Sequence, residues 1–187
     1  MINLRPALFL DRDGVIIENR ANYVRSVTDV AFIPGALAAL RRLATTPYAV
    51  VIVTNQSAVG RGLITREAVQ AVHTYLQIEI QATGGRIDGI YFCPHAPQEG
   101  CRCRKPAPGM LLQAAAELGL ELAASAMIGD NITDVQAAQA AGARPILVRT
   151  GLGEQHAQLL ASGHYAPIPI AADLAEAVTL ILAGQHR

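Results

Sequence analysis

Two aspartates two positions apart, Asp11 and Asp13, follow directly on the apolar run ALFL at residues 7–10. Carboxylates that close repel one another unless a cation sits between them. Hard oxygen donors suit Mg²⁺, which binds a few carboxylates and keeps waters and phosphate oxygens in its shell. An aspartate can also attack a phosphoryl group and carry it as an aspartyl-phosphate. Gly14 permits a sharp turn that leaves nearby N–H groups free to cradle a phosphate. Read alone, the stretch fits a pair of capping aspartates equally well.

Three further groups of polar residues follow apolar runs. Thr54, Asn55, Gln56 and Ser57 come after AVVIV, and a hydroxyl there can donate to a phosphoryl oxygen without adding charge. An Asx or Ser/Thr turn is the plainer reading of that segment. Arg104 and Lys105 lie in the loop after GIYF; a lysine beside paired carboxylates would neutralise a transferring phosphoryl group, although most such pairs are solvated. Asp130 comes just after AMI and Gly129 as a further candidate metal ligand, while Asp134 stands where a helix start favours an aspartate cap.

All the cysteines fall in one stretch, as Cys93-x-His95-x5-Cys101-x-Cys103. Three sulfurs and an imidazole complete a tetrahedral Zn²⁺ set with no open position, the mark of a structural site. The spacing is not that of common zinc fingers. A catalytic cysteine would need a base and oxyanion site of its own, and a redox pair would more usually be C-x-x-C. His73 falls in a helical pattern and is expected at the surface or its boundary, while His156, His164 and His186 are scattered singly without ligand spacing.

These residues need a frame that brings them together. Residues 7–10, 49–53, 89–92, 126–128 and 145–148 read as strands buried on both faces, because they lack polar alternation. Helical patterns fall at about 35–44, 66–83, 109–119, 133–141, 154–162 and 172–183. Thr65 is the expected N-cap of the second helix, and Gly84-Gly85 its stop. Strand and helix in alternation predict a single α/β domain over residues 1–187, with a parallel sheet flanked by helices. Ligands of such sheets bind outside the carboxyl ends of the strands, where the four polar groups fall. The intervals from Asp13 to Thr54 and from Thr54 to Lys105 already hold helix and strand, so no large cap domain is expected over the site.

In this order, FLDRDGV, VIVTNQS, CRKPAPGM and MIGDNITDVQAAQAAGA resemble the four motifs of the haloacid dehalogenase (HAD) superfamily of phosphatases. The resemblance covers roughly residues 7–150 and implies a Rossmann-like fold. TNQSAVGRG, CRKPAPGMLL and LVRTG are most similar to D-glycero-D-manno-heptose 1,7-bisphosphate 7-phosphatases. Histidinol-phosphate phosphatases are close relatives with the same zinc-binding loop.

The resemblance implies that Asp11 is the nucleophile and Asp13 the general acid and base, with Thr54 and Lys105 stabilising the phosphoryl group. It implies Mg²⁺ on the Asp11 carboxylate, the Asp13 carbonyl and Asp130, and Zn²⁺ on Cys93, His95, Cys101 and Cys103. Substrate contacts fall to the loop Asn19, Arg20, Ala21, Asn22, to Arg104, and to Asn55, Gln56, Ser57 and Asn131. The short His95–Cys101 loop, Asn131 in place of a basic residue, and the divergent ENRANYV segment bear on the choice of substrate. They leave the reaction type unchanged.

With 51% hydrophobic and 16% charged residues, the chain can build a core without disulfides. Fifteen Lys and Arg balance fifteen Asp and Glu, which argues against a broad nucleic-acid surface. The start MINLRPALFLDRDG does not read as a signal peptide, so a cytoplasmic protein with reduced thiols is expected, acting as a monomer on a small phosphorylated metabolite. A zinc-stabilised binding protein without activity is the alternative of another class. Such a chain would be expected to have lost some of Asp11, Asp13, Lys105 and Asp130, and all four are present.

Overall fold

The computed structural model describes residues 4–164 and 166–184. Six parallel strands, β1 (Ala7–Leu10), β2 (Ala49–Asn55), β3 (Gly89–Cys93), β4 (Ala126–Gly129), β5 (Arg144–Val148) and β6 (Ile170–Ala171), form one sheet in the order β3-β2-β1-β4-β5-β6. The helices are α1 (Ala36–Leu43), α2 (Ser57–Gly60), α3 (Arg66–Ala82), α4 (Gly109–Leu118), α5 (Ile132–Ala141), α6 (Gly153–Leu159) and α7 (Leu174–Ala183). A π-helical stretch, Leu160–His164, continues α6.

Strand pleating sends alternate residues to opposite faces. Leu8, Leu10, Val50, Ile52, Ile128, Ile146 and Val148 pack with residues of α1, α3 and α7. Ala7, Phe9, Val51, Val53 and Met127 pack on the other face with Met110, Leu111 and Ala114 of α4 and with Ala137 and Ala138 of α5. Both faces being covered, the strands carry no polar alternation, which is why their sequences read as unbroken apolar runs.

The five expected strands and six expected helices are present, with ends moved by a few residues. Thr65 caps α3 by accepting from the Ala68 N–H at 3.1 Å. Beyond α3, Gly84 at φ +83° turns the chain back, and the Gly85 N–H donates to the Ile80 carbonyl at 2.9 Å. Of the described strands and α-helices, two were not expected: β6 has two residues and α2 one turn, too short for a periodic signature.

After β1 the chain turns at Gly14, φ +86°, and buries Val15, Ile16 and Ile17. It then runs out and returns through bridges of Ile17 with Asp13 and Phe32. This flap carries Asn19–Asn22. Flap and α1 fill the interval between Asp13 and Thr54; α2, α3 and β3 fill the next one. No cap domain is inserted in either interval. No helix is long and apolar enough to cross a membrane among the described residues, and His186 lies outside them.

His73 departs from expectation. It points inward from α3, only 1% exposed, with its ring edge-on to Phe92 at 5.4 Å. The buried side chains of α3 are Val69, Val72, His73, Leu76 and Ile80. Its place four residues after Val69 and three before Leu76 puts His73 on the apolar stripe.

Candidate active site and metal centres

The carboxyl ends of β1, β2 and β4, with the loop that follows the edge strand β3, deliver the expected groups to one crevice. A cavity of about 240 Å³ is lined by Asp11, Asp13, Thr54, Lys105 and Asp130, with Arg104, Asn131, Asn19 and Leu152 among its other walls. A second cavity of about 430 Å³ adjoins it, since Asp13, Asn19, Asn55 and Leu152 line both. Its remaining walls include Arg20, Ala21 and Tyr23 of the flap, and Arg12 and Gln56 below.

Lys105 is fully enclosed. Its Nζ lies 3.0 Å from Asp11 Oδ1 and 2.6 Å from Asp134 Oδ1, and donates to the Val53 carbonyl at 2.9 Å. Burial alone would favour the neutral amine, but the Asp11 and Asp134 charges win and hold its pKa above the ordinary lysine value. The backbone that carries it is fixed to β2: Asn55 Nδ2 donates to the Lys105 carbonyl, and the Lys105 N–H donates to Asn55 Oδ1, both at 3.1 Å. Asn55 thus spends its amide on positioning the lysine.

The acidic side of the crevice is under-neutralised. Asp11, Asp130 and Asp134 each place a carboxylate oxygen within 4.8 Å of the others. Burial pushes Asp11 up to about 8, with Asp134, Asp130 and Asp13 adding to the rise and Lys105 opposing it. Burial likewise raises Asp130 to about 6, against hydrogen bonds from Leu152 and Asn19. Leu152 N–H and Asn19 Nδ2 reach Asp130 Oδ2 at 2.8 and 3.0 Å. A hard divalent cation among these oxygens would supply the missing charge, so the donor set fits Mg²⁺. Two glycines make room for the Asp130 carboxylate. A Cβ at Gly14 would stand 2.0 Å from Asp130 Oδ2, and one at Gly151 2.2 Å.

Asp13 points into a separate network. Arg12 Nε donates to Asp13 Oδ2 at 3.0 Å and Nη2 to Oδ1 at 3.2 Å, while Gln56 Nε2 donates to Oδ2 at 3.0 Å. Gln56 Nε2 also reaches Thr54 Oγ1 at 2.8 Å, and Gln56 Oε1 accepts from Arg12 Nη2 at 2.9 Å. Gln56 is therefore buried against protein groups, and Ser57, also buried, opens α2.

The other expected substrate residues divide by exposure. Asn131 caps α5, its Oδ1 accepting from the Thr133 N–H at 3.0 Å, and still lines the smaller cavity. Arg104 lines that cavity with a buried Nη1 that has no protein partner. Arg20 pairs with Glu18 at 3.4 Å; Ala21 and Asn22 are exposed on the flap.

The thiol cluster closes as expected from its spacing. Sγ to Sγ distances among Cys93, Cys101 and Cys103 are 3.3, 3.4 and 3.5 Å, and His95 Nδ1 lies 3.5 Å from Cys93 Sγ and 3.2 Å from Cys103 Sγ. These are near the edges of a tetrahedron whose Zn–S bonds are about 2.3 Å. Burial pushes the Cys93 thiol well above its usual value, and thiolate–metal bonding would reverse that cost. The four side chains fit Zn²⁺. Metal analysis of purified protein is expected to give about one zinc per chain, by that ligand count; stable, active, metal-free protein would remove the assignment.

Sequence reasoning did not single out Arg12 or the Lys105 contact of Asp134, and it placed His73 at the surface or its boundary. Asp134 does cap as anticipated, accepting from the Asn131 N–H at 3.0 Å, but its other oxygen meets the lysine. The helical spacing of α3 was a usable signal for His73; nothing local marks Arg12 as buried.

A family model for HAD-hydrolase-like proteins matches residues 102–177. The D-glycero-beta-D-manno-heptose-1,7-bisphosphate 7-phosphatase of Yersinia pestis is 46% identical over 154 residues, 78% of this chain and 81% of that protein. Its Escherichia coli K12 counterpart is 42% identical, covering 78% and 80%. The crystal structure of the D,D-heptose 1,7-bisphosphate phosphatase from B. bronchiseptica, complexed with magnesium and phosphate, superposes with a TM-score of 0.88 at 37% identity. That match covers 96% of this chain and 99% of that one. With these similarities and the crevice at its strand ends, the chain is a HAD-type phosphatase and belongs to the D-glycero-beta-D-manno-heptose-1,7-bisphosphate 7-phosphatase family.

Proposed function

We propose that the protein removes the 7-phosphate of D-glycero-β-D-manno-heptose 1,7-bisphosphate through an aspartyl-phosphate on Asp11. The observation that carries this reading is the Asp11–Lys105–Asp134 array opening into a cavity walled by Asp13, Thr54 and Asp130. The relatives of the same name and the magnesium–phosphate complex of the B. bronchiseptica enzyme support it.

Lys105 and the Arg12 N–H, 3.0 and 2.7 Å from Asp11 Oδ1, orient the nucleophile for attack on phosphorus. As the P–O bond to the sugar breaks, a protonated Asp13 gives its proton to the departing O7. Asp13 then takes a proton from water, whose oxygen displaces Asp11 and frees inorganic phosphate. Thr54 and Lys105 stabilise charge on the phosphoryl oxygens. Asp11, the Asp13 carbonyl and Asp130 would hold Mg²⁺, which supplies charge neutralisation and a fixed position for the phosphoryl group. Zn²⁺ on Cys93, His95, Cys101 and Cys103 would stiffen the loop that delivers Arg104 and Lys105. Arg104, with its buried unpartnered nitrogen, and the flap residues Asn19–Asn22 would meet the rest of the substrate.

Side-by-side steady-state kinetics test the substrate. The heptose bisphosphate is expected to have the higher kcat/KM; a preference for histidinol phosphate would overturn this choice.

A further inference from the structure

Arg12 is 1% exposed although it lies between two residues of the reactive crevice. A buried guanidinium is tolerated only where its donors are met, and removing one partner leaves the remainder free to rearrange. Two of its nitrogens hold Asp13 and Gln56. The third, Nη1, lies 3.2 Å from His73 Nε2, reached from a helix remote in sequence. A guanidinium only donates, so His73 Nε2 accepts and the ring proton sits on Nδ1. Desolvation, and then the Arg12 charge, hold the imidazole neutral, its pKa lowered to about 3.

We propose that His73 is a positioning residue for proton transfer: its Nε2 lone pair fixes Arg12, and Arg12 with Gln56 fixes the Asp13 carboxylate. His73 lines neither cavity of the crevice and acts only through Arg12. The role rests on the reading of Asp13 as the general acid. An acid displaced from the departing oxygen loses part of the roughly 10²- to 10⁴-fold that such proton transfer contributes.

The test uses leaving-group basicity, to which a purely structural role is blind. A sugar oxygen must be protonated as it departs, whereas 2,4-dinitrophenolate leaves without help. The kcat/KM value reports steps through that departure. His73→Leu, which removes the acceptor, is expected to lower kcat/KM for the heptose bisphosphate about 10- to 100-fold, and for 2,4-dinitrophenyl phosphate by less than about threefold. His73→Gln, which keeps an acceptor, is expected to restore the sugar substrate to within about threefold of wild type. Thermal unfolding establishes that each variant is folded; His73→Met replaces the leucine variant if that one is not. Failure of the substrate assignment would show in the wild-type protein as rejection of the heptose bisphosphate. The ratio is then read on another alkyl phosphate that the wild type accepts. Equal losses on alkyl and aryl esters, undiminished turnover of the alkyl ester, or a glutamine variant as slow as the leucine one would overturn the proposal.

Discussion

Asp11→Asn is expected to abolish phosphate release, lowering kcat by on the order of 10⁴-fold or more, as deletion of a covalent nucleophile does elsewhere. The amide nearly matches the carboxylate in shape, but its weak nucleophilicity stops aspartyl-phosphate formation. The fold should survive, because Lys105 keeps Asp134 as its counter-ion at 2.6 Å and its bond to the Val53 carbonyl at 2.9 Å. Phosphate release assays with thermal unfolding on the same preparation separate the two effects. Near wild-type turnover by a folded variant would exclude Asp11 as the nucleophile.

Lys105→Met is expected to strike stability and activity together. The methionine fills similar volume but leaves Asp11 and Asp134 facing one another in a buried place, both having lost their cation. Breaking a buried ion pair from one side costs about 3–5 kcal/mol. Loss of a preorganised group at the transferring phosphoryl should lower kcat by about 10²- to 10³-fold. Urea unfolding measures the first effect and single-substrate kinetics the second. A variant as stable and as fast as wild type would mean that the lysine is a bystander.

The two variants bear on different parts of one device, and the sequence disclosed those parts unevenly. Asp11, Thr54 and Asp130 were legible because each follows an unbroken apolar run, and a parallel sheet covered on both faces makes such runs. Lys105 follows no strand directly. Its burial depends on the Asn55 clamp and on two carboxylates from distant segments, which only the folded chain brings together.

Arg12 was hidden for the same reason. A cation between two aspartates reads as solvated until Gln56 and His73 are known to enclose it. His73 was legible in principle, since its spacing from Val69 and Leu76 places it on the buried stripe. Its polarity argued for the surface, and the specific partner overrode that. The loop Asn19–Asn22 was read only through the family resemblance, and its anchor was missed because Val15, Ile16 and Ile17 form a run too short and too close to β1 to read as a separate element. The thiol loop was legible from its local clustering and its resemblance to the family's zinc-binding loop, since a complete set of metal ligands within one short stretch needs no long-range partner to be recognised.

Regiospecific phosphate release tests the central claim most directly, followed by ³¹P NMR on D-glycero-β-D-manno-heptose 1,7-bisphosphate with Mg²⁺ present. The account predicts loss of the 7-phosphate resonance, growth of inorganic phosphate, and persistence of the anomeric 1-phosphate. An unchanged spectrum, or loss of the 1-phosphate first, would contradict it.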